Sequence, residues 1–304
     1  ETSSILYTVG KNKLPYKDEQ IFEQLFDRNN LIQVSLNISE EELLNIQKDY
    51  EEYSNRGSKS PIYRNASMDI TITTEKNSIT YRIPNVGVRM KGNTSRTDFY
   101  SQEEGQYNLI HYRVKFMDGE FASLDHLELK WNKNDDSTYI REGYAYEMFR
   151  DMGVLAPHTN LVSMDVSGLH QGVFTMYEPV DKNFIEKNVA EKDWGGDLYK
   201  CGWTHIGASL TRECSIGVED EEHSKFYNYD LKTNKLESNH AQMRNLIKVL
   251  NTSNVSRESM EEVVDMDNFV MFAAVSYFVG NPDDCRNNYN NYYIYFLKSS
   301  GKAI

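Results

Sequence analysis

The sequence predicts an α+β fold in two lobes, a strand-rich N-terminal half over 1–178 and a helical C-terminal half over 179–304. Three observations predict it. Apolar and polar residues alternate at period two in several short runs between 31 and 177. Helix-like apolar patterns gather after 179. Between the halves a strand runs into Glu178-Pro179, where Pro179 has no amide to offer a ladder and the sheet must stop.

Composition sets the bounds. A chain of 304 residues can hold two lobes or one large domain. Apolar residues at 39% and charged residues at 26% lie in the globular range, which excludes wholesale disorder. The net charge of −13 argues against a nucleic-acid footprint, which would show as a basic face, and disfavours an anionic membrane surface. No apolar run approaches 18 residues, so no membrane span is predicted, and no signal peptide is visible. Three cysteines are too few for a disulfide scaffold and are not at zinc spacing. A Cys201–Cys214 bridge and three unpaired thiols are both open.

In chain order, 18–27 has a short helical pattern with Phe22, Leu25 and Phe26 on one side. Residues 31–38 alternate as a strand, and Ser39-Glu-Glu-Glu42 is a capping-box start for a helix through about 53. Runs 67–74 and 78–88 read as a hairpin. The second run enters Gly87-Val-Arg-Met-Lys-Gly-Asn-Thr-Ser95. Backbone amides of such a loop can cradle phosphate while Arg89 or Lys91 neutralises it, although a hairpin bend with a solvated basic pair is the commoner use.

Run 107–116 is a further strand, with His111, Arg113 and Lys115 on one face and Tyr112, Val114 and Phe116 on the other. It predicts either a platform for a triphosphate or a sheet edge guarded by charge. A short strand at 126–131 precedes the loop 132–137. The helix 138–152 that follows carries Ile140, Tyr144, Met148 and Met152 as its apolar stripe and stops at Gly153. Glu142 in its first turn can pair with a strand cation or simply complement the helix dipole.

Strands are predicted at 160–166 and 171–177, and Asp181 caps a helix at 182–188. Residues 203–235 read as an irregular, charged insertion. Helices follow at 238–250 and 256–264, then a nearly all-apolar helix at 267–278 that is expected to be buried. That helix delivers the chain into the loop 280–291, ahead of an aromatic strand at 292–296. The loop holds the carboxylates Asp283 and Asp284 and the amides Asn287, Asn288, Asn290 and Asn291. Such oxygens suit a hard cation, Mg²⁺ or Mn²⁺.

Strands, one prominent helix, a hinge and a helical half with an Asp/Asn loop make a kinase-like plan. Beyond the plan, the sequence resembles the spore coat protein H (CotH) kinase family over nearly its whole length. The resemblance rests on Gly87–Ser95, Tyr112-Arg-Val-Lys-Phe116 and Asp136-Ser-Thr-Tyr-Ile-Arg-Glu142. It continues through Gly172-Val-Phe-Thr-Met-Tyr-Glu-Pro-Val-Asp181, Gly196-Asp-Leu-Tyr-Lys200, and Gly280-Asn-Pro-Asp-Asp284 with Asn291-Tyr-Tyr-Ile-Tyr295. It implies an atypical secretory-pathway protein kinase that uses ATP and a divalent metal, Mg²⁺ or Mn²⁺, to phosphorylate Ser or Thr of extracellular or spore-coat proteins. It implies further that Asp283 is the catalytic carboxylate and that Asn288 or Asn291, with Asp284, binds metal. Lys115 or Arg113 would be the phosphate-binding cation oriented by Glu142, and Met176 to Glu178 the adenine hinge.

Two departures bear on that reading. Many relatives carry a basic pair where this chain has Ile110-His111. They also continue into a Trp-Asp segment that supplies a further metal-binding Asp, so the family domain is expected to run on past Ile304. The implied setting is secreted, on the cell surface or in a spore coat. A catalytically weak or inactive scaffold module in such an assembly is the alternative. A carboxylate-metal hydrolase using Asp135, Asp136, Asp283 and Asp284 is the remaining reading, disfavoured because no His joins the two pairs at ligand spacing.

Overall fold

The computed structural model describes residues 3–92, 95–101, 106–132 and 138–304. Two compact units divide the chain. One comprises Glu1–Tyr144 with Pro157–Pro179, the other Ala145–Ala156 with Val180–Ile304.

The first unit runs β1 (Ser3–Thr8), α1 (Asp18–Phe26), β2 (Leu31–Ile38), α2 (Glu40–Asn55), β3 (Arg64–Thr73) and β4 (Asn77–Lys91). Two short strands follow, β5 (Tyr100–Ser101) and β6 (Gln106–Tyr107), then β7 (His111–Phe116) and β8 (His126–Trp131). The start of α3 (Arg141–Asp151), β9 (Thr159–Val166) and β10 (Leu169–Tyr177) complete it. Among the described residues, seven strands close into a ring in the order β4-β3-β2-β9-β10-β8-β7, and β1 lies outside, parallel to β4.

Closure depends on β4. Its fifteen residues let Ser78–Val88 pair with β3 while Val86–Lys91 pairs with β7. Period-two side chains put one face of every strand inside. Val34, Leu36, Tyr81, Val88, Tyr112, Val114, Leu129, Met164 and Phe174 fill the interior, and Ile21, Leu25 and Ile46 from α1 and α2 join the same core. Ser39 caps α2 by accepting the Glu42 amide. The kinase-like plan thus corresponds to a strand-rich first half, but what those strands build is a closed barrel.

The second unit starts with the rest of α3 and continues through α4 (Lys182–Asn188), β11 (Leu198–Cys201), β12 (Ile216–Gly217) and β13 (Tyr229–Leu231). Helices α5 (Ala241–Leu250), α6 (Arg257–Glu261) and α7 (Met266–Phe278) and strand β14 (Tyr292–Tyr295) complete it. It is less purely helical than expected. A four-stranded sheet, β12-β13-β11-β14, lies at its centre. The stretch expected to be an irregular insertion supplies two of those strands, and all three residues of β13 are buried. A Tyr-Asp-Leu run is too short to show a period.

Two helix expectations fail on burial. In α3 the buried residue is Phe149, stacked on Phe272 at 5.7 Å, while Tyr144 and Met152 of the expected stripe are exposed. In α7 only Val275 and Ser276 are buried, and Tyr277 and Phe278 are 83% and 76% exposed. A helix apolar all round gives no signal of which side will be covered. All three cysteines are free, so no Cys201–Cys214 bridge forms.

Candidate active site

In the first unit the outward faces of β4, β7 and β8 form a lattice of charge. Register places Arg89 opposite Arg113, and Arg113 opposite Glu128. Glu128 accepts Lys91 Nζ at 2.9 Å and Arg113 Nη2 at 3.2 Å. Arg113 also lies 3.0 Å from His126 Nε2. Arg89 turns elsewhere, donating to Ser60 O at 2.6 Å with its guanidinium 5.1 Å from the Tyr63 ring centre. Of the phosphate loop, Asn93 and Thr94 lie outside the described residues, as do Asp135 and Asp136 of the hydrolase reading.

Glu142 was expected to orient Lys115 or Arg113. Its partner is instead Lys130, whose Nζ is 3.0 Å and 3.3 Å from the two carboxylate oxygens. Lys130 also sits 4.7 Å from the Tyr177 ring centre and 3.4 Å from its hydroxyl. Lys115 lies opposite His126, and its charge reaches Asp125. The Asp125 carboxyl is held below its usual range, chiefly by the His126 hydrogen bond. The signal for Lys130 was present: alternation in Leu127-Glu-Leu-Lys-Trp131 turns Glu128 and Lys130 to one face.

The expected adenine hinge is already engaged in the fold. The Met176 side chain is in the barrel core, and its strand is paired on both sides, with β8 and with β9. The Glu178 amide donates to His158 O at 2.9 Å. Its side chain, 1% exposed, accepts the His158 amide at 3.1 Å and lies 2.7 Å from His158 Nδ1. A purine edge would find these backbone groups in use.

The second unit holds the Asp loop. Helix α7 ends at Phe278 with Val279 as its cap, Gly280 takes φ +66°, and the Asn281 amide returns to Ser276 O at 2.9 Å. The Asp283 amide donates to Asn281 Oδ1 at 3.1 Å, which turns the chain. The two carboxylates then part company. Asp284 is buried and accepts the Arg286 amide at 2.9 Å, its Nε at 3.1 Å and its Nη2 at 2.8 Å. Arg286 also reaches Asn281 O at 3.2 Å, and its guanidinium is raised above its usual value, chiefly by Asp284. Asp284 is therefore an internal lock in place of the expected metal ligand.

Asp283 is half-buried and accepts two side-chain amides, Asn288 Nδ2 at 2.8 Å and Asn291 Nδ2. A carboxylate held this way, with one amide on each oxygen, has a fixed orientation. Asp283 and the carbonyl oxygens of the same two amides are a donor set chemically suited to Mg²⁺ or Mn²⁺. Beside it, burial pushes the Cys285 thiol up to about 11, so it is no nucleophile near neutrality. Among the described residues, Asp220, Glu222 and His223 also bring ligand atoms within 4.8 Å of one another, on a turn where Glu222 and His223 are exposed.

Residues 88–303 match the family described as CotH kinase protein, which spans most of the chain and includes both clusters. The chain belongs to the CotH kinase protein family. No curated protein matches it.

Proposed function

We propose that this chain is an ATP-dependent protein serine/threonine kinase of the CotH type, acting on secreted or coat proteins. The observation that carries this reading is Asp283, a carboxylate oriented by two amides in a loop of this family. Asp283 accepts the hydrogen of the acceptor Ser or Thr hydroxyl as its oxygen bonds the γ-phosphorus and the bond to the β,γ-bridging oxygen breaks. Bound ATP with Mg²⁺ or Mn²⁺ supplies the phosphoryl group and neutralises its charge. Asp283, Asn288 and Asn291 would hold the metal. Within the first unit, Lys91, Arg113 and Lys130 offer positive charge of the kind that suits phosphate. The setting, secreted, cell-surface or spore-coat, follows from the same reading.

The test is transfer of labelled γ-phosphate from ATP to casein or to the protein itself with Mn²⁺ present. Wild type is expected to label and Asp283→Ala to lose nearly all labelling. Equal labelling by both removes Asp283 from the reaction.

A second reading, a scaffold that binds without transferring, is favoured by Asp284, whose carboxylate is taken up by Arg286 and leaves one loop carboxylate for metal. Calorimetry with millimolar ATP and Mn²⁺ separates the two. No heat and no thermal shift would favour the scaffold.

A further inference from the structure

The turn that bears Asn288 and Asn291 is not held by its own chain alone. Tyr289 and Asn291 both take left-handed backbone, φ +53° and +52°. Two such residues within three positions need outside support. Segment 203–208 supplies it. Trp203 Nε1 donates to Asn288 O at 3.0 Å, and the Ala208 amide donates to Tyr289 O at 2.7 Å. The Tyr292 hydroxyl donates back to Ala208 O.

Trp203 is 46% exposed, so burial does not explain where its ring sits. Its N–H is directed at the Asn288 carbonyl, and the same Asn288 donates its side-chain amide to Asp283 Oδ1 at 2.8 Å. We infer that Trp203 is a positioning residue: through the Asn288 peptide it fixes the amide that aims the Asp283 carboxylate. This rests on the reading of Asp283 as the carboxylate that meets the acceptor hydroxyl.

Trp203→Phe tests it, because phenylalanine keeps an aromatic ring and deletes the N–H. The expected result is a kcat about tenfold lower, since small misplacement at a reacting group is costly, with the KM for ATP within about twofold and an unchanged melting temperature. Wild-type kcat in Trp203→Phe overturns the inference. A second readout is independent of turnover: the indole N–H resonance of Trp203 in the intact, ¹⁵N-labelled protein. Asp283→Ala is expected to move that resonance, and a resonance that stays put overturns the coupling. If wild type transfers no phosphate, the kinase reading fails and the resonance still decides the coupling. If wild type transfers and Trp203→Phe matches it, the coupling alone fails.

Discussion

Both carboxylate oxygens of Glu142 lie within 3.3 Å of Lys130 Nζ, with the Tyr177 ring on another side of the ammonium. The two side chains are 53% and 28% exposed. An ion pair so wet contributes about 0–1 kcal/mol to stability. Lys130→Met is therefore expected to leave the melting temperature within about 4 °C, taking about 2–4 °C per kcal/mol as the scale. It is expected to lower ATP-dependent labelling by about tenfold or more, if the ammonium binds phosphate. Initial rates beside a melting curve check both halves. A large loss of stability with unchanged labelling would reduce the pair to a strut.

Gly207 faces the Asp283 loop with no room for a side chain. A Cβ there would lie 2.7 Å from Tyr289 Cβ and 3.1 Å from Asn288 O. Gly207→Ala must move the turn or its own segment, at a cost of about 1–3 kcal/mol, the usual range for overpacking. Urea unfolding followed by tryptophan emission measures it. A midpoint equal to wild type would mean the turn yields freely.

Tyr81 is fully buried in the barrel, and its hydroxyl has no hydrogen-bond partner among the described residues. Burial pushes its phenol well above the usual value. Removing an unsatisfied buried hydroxyl removes a desolvation penalty of about 1 kcal/mol or more. Tyr81→Phe is expected to be as stable as wild type or more so in chemical denaturation. A clear loss would reveal a water or other partner at that oxygen.

Thiol reactivity should sort the cysteines. Burial opposes ionisation of Cys214, but hydrogen bonds from Ser209 and Thr211 outweigh it and lower the thiol below its usual value. Burial raises Cys201 far above that value and Cys285 to about 11. Because the thiolate is the reactive form, iodoacetamide at neutral pH is expected to label Cys214 first and Cys201 last. Peptide mapping by mass spectrometry reads the order.

His240 adds a pH dependence. Its Nδ1 lies 2.8 Å from the Tyr199 hydroxyl oxygen. Burial first, then Arg244, lowers its titration from the usual 6.5, while Asp197 opposes the shift. On acidification the unfolded chain therefore takes up this proton first. The contribution of His240 is intact above about pH 6.5 and falls as pH drops from there toward the lowered native value. His240→Asn suits the local backbone, φ +58°, because Asn tolerates the left-handed region. Unfolding free energy from about pH 7 to about pH 5 should fall less steeply in that variant than in wild type. Parallel slopes would remove His240 from the acid response.

The features legible in the sequence were those written locally. Tyr112, Val114 and Phe116 alternate and are buried, and the Ser39 cap is a four-residue pattern. The strand period puts His111 on one face with Arg113 and Lys115, yet it is 5% exposed, with its ring 6.2 Å from that of Trp131, a neighbour no strand period names. Pairing of β4 with both β3 and β7 was not legible, because register between distant strands is a tertiary outcome. The alternation of 127–131 turns Lys130 to the charged face, but its pairing with Glu142 is a tertiary contact that no local pattern names. In the Asp loop, composition marked two carboxylates and four amides, but adjacent Asp283 and Asp284 point to opposite tasks. Only the nearby Arg286 hinted which of them was already taken.

The barrel also sets a timetable for folding. Ile32 pairs with Val162 and β8 pairs with β10, so the circle stays open until the last of its strands has been synthesised. Contacts so distant along the chain are slow to form, and until they do the apolar faces of half-made strands remain accessible. Production of this protein should therefore gain more from slow synthesis and chaperones than from any single stabilising substitution.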